Sequence, residues 1–385
     1  MRSWLISGSF LAAAAVAACG PAAPTPAPRA DGPAVQAQLP GSSPPPSSLA
    51  QSSAVPSLGP QTVDQAGFAP EAPTSEDRTP AVLRAQVLLD RARFSPGVID
   101  GRPGENLRQA IAAFEEARGL PVDGLLDEAV FVQLTQADAA PVLKTYEITE
   151  QDVAGPFTDI PHGDLKQQAA LPAMNYSSVR EALAEKFHMS EALLAELNPD
   201  IDFSHAGSTL VVTAVNDGKL PATVALVEVD KSDSAVKAYD AKGVLLAFYP
   251  ATIGSEDRPA PTGVLKVANV SRHPTYVFDP ARLTYKQPGA TTRTTLQPGP
   301  NNPVGTVWIG LDQPTFGIHG SDEPDEIGKS FSHGCVRLSN WDAEALAGGV
   351  RKGVKVSFLE QTAAGLRKAA ARAGASAPAG SAPHG

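Results

Sequence analysis

The stretch FSHGCVRLSN, residues 331–340, sets Cys335 one glycine away from His333 and holds one of only two cysteines in a chain of 385 residues. A second histidine, His319 in FGIHGS, stands 16 positions upstream (335 − 319). The interval carries SDEPDEIGKS, long enough for the end of one strand to loop back and face the next segment. A thiolate attacks a carbonyl only after its proton is removed, and an imidazole within about 2.6 to 3.2 Å both takes that proton and steadies the ion pair. Gly320 and Gly334 matter equally. A tetrahedral intermediate needs backbone N–H groups that approach its oxygen without a Cβ in the way.

Outward from this stretch the chain reads as strands. TVALVEVD, AVKAYD, VLLAFYP, GVLKVANV, TVWIG, TFGIHG and VKVSFLE are short apolar runs separated by Gly, Pro and Asp turns. They predict a mostly-β, sandwich- or barrel-like domain over residues 221–360. Only NWDAEALAGGVR, residues 340–351, reads as a helix here, with Asn340 placed to cap it.

Together these residues resemble the L,D-transpeptidase family with its YkuD-type catalytic domain. The resemblance rests on His319-Gly320, a spacer of this length, then Ser332-His-Gly-Cys-Val-Arg-Leu-Ser-Asn340, supported by Pro261-Thr-Gly263 and by NNPVGTVWIGL at 301–311. It implies Cys335 as nucleophile and His319 as base, with the Gly320 carbonyl orienting the imidazole. It further implies His333 in the same cleft, the Gly334 and Cys335 N–H groups as oxyanion hole, and Arg337 with Ser332 on the substrate side. No cofactor is expected. The implied reaction is acyl transfer in a peptidoglycan tetrapeptide stem: Cys335 displaces the terminal D-alanine from the third residue, and an amine or water then resolves the thioester. The acceptor is left open between a stem amine, a protein amine at the wall and water. The long segment 272–303, with Tyr276, Phe278 and Tyr285, is expected to form a lid over the acceptor channel.

Two smaller units precede this domain. In residues 80–140, Leu83 and Val87, then Leu107, Ile111 and Phe114, recur at helical spacing, with turns at Asp100-Gly101 and Asp123-Gly124. The run FSPGVIDGRPGENLRQAIAAFEEARGLPVDGLLDEAVFVQL resembles the small three-helix peptidoglycan-binding domain. In residues 145–216, KFHMSEALLAELNPDIDFSHAGSTLVV is similar to the second half of an α+β LysM glycan-binding module. Its first strand is expected at residues 146–149, across an unusually long insertion. His188 and His205 are expected to be satisfied core or surface residues, because neither has a partner at metal spacing.

The N-terminal residues 1–19 combine Arg2 with an apolar run too short to span a bilayer, which predicts a signal peptide. Val16-Ala-Ala-Cys19 resembles the bacterial lipobox, which implies acylation of Cys19 and a lipid-anchored protein on the periplasmic side of the outer membrane of a Gram-negative envelope. Residues 20–79 are rich in Pro, Ala and Ser and read as a linker, and residues 361–385 as a terminal helix or disordered tail. With 31 Lys+Arg against 41 Asp+Glu and no basic cluster, the chain is not built for nucleic acid. Peptidoglycan and, through the lipid, a membrane are the expected partners. A zinc site at His319, His333 and Cys335 lacks a fourth ligand, and a catalytically silent wall-binding scaffold is hard to reconcile with an intact cysteine and histidine.

Overall fold

A computed structural model describes residues 58–68, 77–161, 163–254, 259–280, 292–329 and 334–359. Cys19, Ser332 and His333, the signal segment and the tail 361–385 lie outside the described residues.

The span expected to be linker contains structure at its end. Helix α1 (Pro60–Asp64) starts on a proline, buries Val63 completely, and lends Asp64 Oδ1 to the N–H of Val142 at 2.7 Å. Apolar burial by Leu58 and Val63 outweighs the local Pro/Ala/Ser composition, so the linker expectation fails for residues 58–68.

Three helices follow: α2 (Pro80–Arg91) and α3 (Glu105–Arg118), which carry the helical spacing, and α4 (Glu128–Ala137), the third that the resemblance implies. Thr79 and Asp127 cap α2 and α4, accepting from Val82 N and Val130 N, while α3 stops at Gly119 in the left-handed region. A buried helix side chain fastens each Asp-Gly turn. Gln86 Oε1 accepts from the N–H groups of Asp100 and Gly101 at 3.2 and 2.7 Å, and Glu115 Oε2 from those of Asp123 and Gly124 at 3.0 and 2.8 Å.

The second unit begins with β1 (Leu143–Glu147), passes through the short helices α5 (Glu150–Val153) and α6 (Leu165–Ala169), then α7 (Val179–Lys186) and α8 (Glu191–Leu197), and closes with β2 (Thr209–Thr213). The strands pair antiparallel from Leu143↔Thr213 to Glu147↔Thr209. The first strand lies three residues earlier than the sequence suggests. Thr149 is taken as the N-cap of α5, in a capping box with Asp152, and cannot extend the strand.

The third unit contributes β3 (Leu226–Asp230), β4 (Ala235–Tyr239), β5 (Leu245–Pro250), β6 (Thr252–Ile253), β7 (Gly263–Arg272), the hairpin β8 (Tyr276–Phe278) and β9 (Thr294–Leu296), β10 (Val307–Leu311), β11 (Gly317–His319), β12 (Val336–Arg337), α9 (Asn340–Gly349) and β13 (Lys355–Leu359). Nine strands form one mixed sheet in the order β5-β4-β3-β13-β7-β10-β11-β12-β6. The long β7 joins its halves, pairing with β13 through residues 263–266 and with β10 beyond them. Both halves and α9 bury one apolar core that includes Val229, Val267, Ile309, Ile318 and Leu346. This is the mostly-β, nearly closed barrel that the strand pattern implied.

The units are stitched together by backbone hydrogen bonds. Ser95 N donates to Phe248 O and Phe248 N to Arg93 O, both at 2.9 Å, so the loop after α2 extends the β5 edge. Ile99 N donates to His188 O at 2.8 Å and Ser190 N to Ile99 O at 3.0 Å, tying the first unit to the second.

Candidate active site

The free end of the sheet creates the site. β11 pairs antiparallel with β10, setting Trp308 opposite His319, and parallel with β12, setting Ile318 beside Val336 and His319 beside Arg337. Side chains alternate along a strand. Ile318 and Val336 are buried in the core, so His319, Arg337 and the adjoining Cys335 share the other face. The two residues that the sequence pairs across a 16-residue interval (335 − 319) are thereby brought to one side of neighbouring strand ends.

His319 is 3% exposed. Its Nδ1 lies 2.7 Å from the Gly320 carbonyl, which can only accept, so Nδ1 carries the hydrogen and Nε2 is left to take a proton. The ring stacks on Trp308, centroids 5.3 Å apart at 18°. Gly317 makes room for that indole, since a Cβ there would lie 2.6 Å from a ring carbon. Burial, with a smaller push from the Arg337 charge, lowers the imidazole pKa to about 4 against the opposing hydrogen bond from Gly320. The imidazole is therefore neutral at pH 7.

Cys335 keeps partial solvent access. Burial raises its thiol pKa, opposed by a backbone hydrogen bond from Gly317 and by the Arg337 charge. Sγ sits 3.6 Å from the carbonyl of Thr315, a β-branched residue held at φ 74°. Such a residue in the left-handed region is strained, and the strain sits beside the thiol. Gly334 adopts φ 102°, which excludes most side chains immediately before the cysteine. Ser321 is buried and accepts from Glu323 N at 3.1 Å, fixing the turn after the histidine.

Asn340 departs from its expected part. The cap of α9 is Ser339, whose Oγ accepts from Asp342 N, and Asn340 is the first residue of the helix itself. A residue already in helical conformation cannot cap, and its carboxamide turns inward. Oδ1 accepts from Thr306 N at 3.1 Å, and Nδ2 donates to Glu185 on α7 and to Pro300 O. Thr315, Trp308 and Glu185 were missed by sequence reasoning. Of these only Trp308 carried a signal, as the aromatic of the approach strand VWIGL.

The described parts of the segment expected to be a lid are fastened to the second unit. Met174 N donates to Pro298 O at 2.9 Å and Asn301 N to Met174 O at 3.0 Å, and a Cβ on Gly299 would overlap the Met174 carbonyl. Tyr285 lies outside the described residues. His188 is buried, with Nδ1 2.8 Å from Asp90 Oδ2, whereas His205 is exposed beside Asp202.

Comparison with known proteins shows what this region resembles. Residues 225–357 match YkuD, the L,D-transpeptidase catalytic domain. Residues 78–134 match the family described as "Putative peptidoglycan binding domain". The chain is 26% identical over 181 residues to "Putative L,D-transpeptidase YkuD" of Bacillus licheniformis, covering 46% of this chain and 92% of that protein. It is 30% identical over 185 residues to "Probable L,D-transpeptidase YbiS" of Escherichia coli K12, covering 47% of this chain and 60% of that one. Over 197 residues it is 29% identical to "Probable L,D-transpeptidase ErfK/SrfK" of Salmonella typhimurium, covering 50% and 62%. His319, Cys335 and Arg337 all fall inside the span matched by the L,D-transpeptidase domain.

Proposed function

We propose that the protein is an L,D-transpeptidase of bacterial cell-wall peptidoglycan, with Cys335 as nucleophile and His319 as general base. The observation that carries this reading is a neutral, buried imidazole whose Nδ1–H is held by the Gly320 carbonyl, on the same face of adjoining strand ends as the thiol. In the first half-reaction the Cys335 S–H proton passes to His319 Nε2 as sulfur bonds to the carbonyl carbon of the third stem residue. His319 then gives that proton to the departing nitrogen of D-alanine as the C–N bond breaks, leaving a thioester. In the second half an acceptor amine attacks the thioester carbon, His319 takes its proton, and sulfur leaves to regain it. The Gly334 and Cys335 N–H groups are the proposed oxyanion donors, and Arg337 and Ser332 the proposed contacts to the donor stem. His333 is proposed to tune the same loop.

A neutral pair suits this sequence. A base that is unprotonated at pH 7 is ready to accept, and a thiol kept protonated by burial is drawn out only when substrate arrives. Water as acceptor would give a trimmed stem in place of a cross-link, with the same residues.

The remaining expectations join this proposal. The βααβ arrangement of β1, α7, α8 and β2 supports a LysM-like glycan module, and the match at residues 78–134 supports a second contact to peptidoglycan. Lipidation of Cys19 would anchor the chain at the outer membrane, with residues 20–57 as tether.

The test is purified Cys335→Ala supplied with tetrapeptide muropeptides. Loss of all transfer, with circular dichroism unchanged, is expected, together with a carbapenem adduct on Cys335 of the parent by mass spectrometry. Product formation by the Cys335→Ala protein would overturn the assignment.

A further inference from the structure

Glu185 stands on α7, in the second unit, yet its side chain reaches the underside of the catalytic strands. The residue is buried, and its carboxyl oxygens lie 3.3 and 3.1 Å from Asn340 Nδ2, which donates to them. Tyr176 O–H donates to Oε2 at 3.2 Å. The same carboxamide of Asn340 is pressed against the two glycines that support the site. A Cβ on Gly320 would lie 2.2 Å from Asn340 Oδ1, and one on Gly305, itself at φ 61°, would lie 2.1 Å from it. The carbonyl of that same Gly320 holds His319 Nδ1. Four groups are thus in unbroken contact: carboxyl, carboxamide, peptide, imidazole.

Each link restricts the next. Nδ2 of Asn340 has two hydrogens, satisfied by Glu185 and by Pro300 O, and Oδ1 is satisfied by Thr306 N. Removing the Glu185 acceptor strands one buried N–H, which is unfavourable if the amide stays where it is. Rotation of the amide to recover a partner moves the atom on which Gly320 rests. A buried carboxyl is itself an expensive way to fill space. Burial, with Glu181 and Glu344 adding repulsion, raises the Glu185 pKa to about 8 against the hydrogen bonds from Asn340 and Tyr176. An apolar side chain would fill the same volume without that penalty, but it would give Asn340 nothing to hold.

We propose that Glu185, contributed by the second unit, is a positioning residue for the His319 imidazole, acting through Asn340 and Gly320. This rests on His319 being the proton acceptor for Cys335. The second unit is then part of the catalytic apparatus as well as any wall contact it makes, and reactivity of the thiol depends on its docking.

The experiment uses the full chain carrying Cys19→Ser, so that Cys335 is its one thiol. The rate of Cys335 alkylation by iodoacetamide is followed from pH 4 to 10 in this parent, in Glu185→Ala, Glu185→Gln and Tyr176→Phe, with His319→Ala as the floor. Turnover of a tetrapeptide muropeptide is measured beside it, and folding by circular dichroism and Tm. Glu185→Ala is expected to lose about 10- to 100-fold in alkylation at pH 7 and in kcat, with KM within twofold, because misplacement of a reacting group by an ångström is worth that much. Glu185→Gln keeps an acceptor for Asn340 and is expected to recover both within about threefold. Tyr176→Phe is expected to lose a few-fold in the same direction, and decides the matter if Glu185→Ala does not fold.

A folded Glu185→Ala, or failing that Tyr176→Phe, that alkylates along the parental pH profile overturns the proposal. So does Glu185→Gln as impaired as Glu185→Ala. Alkylation needs no substrate, so a parent with a reactive Cys335 and no product would overturn the proposed function while leaving the positioning of His319 to be judged on alkylation alone.

Discussion

His319 and His188 are built almost alike. Each is buried, each stacks on a tryptophan, Trp308 at 5.3 Å and Trp341 at 5.0 Å, and each uses Nδ1 in a short hydrogen bond. They differ in what that bond meets and in what surrounds it. His319 meets a backbone carbonyl at the end of strand β11, beside a cysteine and an arginine. His188 meets the carboxylate of Asp90, which also accepts from Asn216 N at 3.0 Å and Nδ2 at 2.8 Å, at a junction where all three units converge. A carbonyl orients a ring without neutralising a charge on it, whereas a carboxylate binds it as a partner. Similar parts therefore serve as the proposed reactive site in one place and a fastening in the other.

The sharpest way to break this comparison is to delete each ring. Under the proposed function, His319→Ala is expected to lower kcat by about 10²–10⁴ in the molecules that remain folded, far beyond what the vacated ring site costs in stability. His188→Ala is expected to do the reverse. Removing the ring leaves Asp90 Oδ2 without its buried hydrogen-bond partner, worth about 1–3 kcal/mol of stability, while kcat per folded molecule stays within a few-fold of the parent. Urea unfolding and turnover, measured on both variants, check this. Should His188→Ala remain as stable as the parent, the junction would not be the fastening described here.

A second set of measurements separates the regions by pH. His319 has its pKa lowered from 6.5 to about 4 on folding, so between those values the unfolded chain binds more protons, and stability falls as pH drops through that window. The loss from this group amounts to roughly 3 kcal/mol at about 1.4 kcal/mol per pKa unit. At the junction the sign is opposite. Asp342, which accepts from Ser95 O–H at 2.8 Å, has its pKa raised from 3.8 to about 7 by burial, so the folded chain binds more protons there and stability falls as pH rises between those values. Glu185, raised from 4.5 to about 8, acts in the same direction. The two windows overlap and the contributions oppose, so between about pH 4 and 6.5 His319→Asn is expected to make unfolding free energy fall more steeply as pH rises, and Asp342→Asn to make it fall less steeply or rise. A slope that changes in the opposite direction would show that the ionisation has been assigned to the wrong region.

Much of the proposed reactive site was legible in the sequence as a candidate, because chemistry restricts residue type there. A nucleophile, a base and glycines beside them leave few alternatives, and Cys335, His319, Gly320 and Gly334 carry that signature without any knowledge of the sheet. The three helices of the first unit were legible for a different reason, since Leu107, Ile111 and Phe114 repeat at the period of one helix face. What stayed hidden was fixed by tertiary pairing. Asn340 reads as a cap because it stands at the start of a helix, but Ser339 takes that place, and its true partner Glu185 is 155 residues away. Nothing local encodes such a separation. The order of the nine strands, with β13 inserted beside β3 and β7, was equally out of reach, and so was α1, whose single buried Val63 is lost in a Pro- and Ala-rich background.

The smallest expected effect tests whether the two regions are independent at all. Helix α9 touches both: Asn340 packs against Gly320 behind His319, while Trp341 and Asp342 face the His188 junction. Ser339 fixes the first turn of that helix by accepting from Asp342 N at 3.2 Å. Ser339→Ala removes the cap, which is worth about 1 kcal/mol, and leaves every other named contact chemically intact. If the first turn frays as a unit, Asn340 loosens with Asp342, and kcat is expected to fall about two- to fivefold alongside the loss of stability. Combining Ser339→Ala with Glu185→Ala would then give less than the product of the two separate effects on kcat, because both act on one carboxamide. Strictly multiplicative effects would mean that the cap supports only the junction, and that Asn340 is held against Gly320 by Glu185, Pro300 and Thr306 alone.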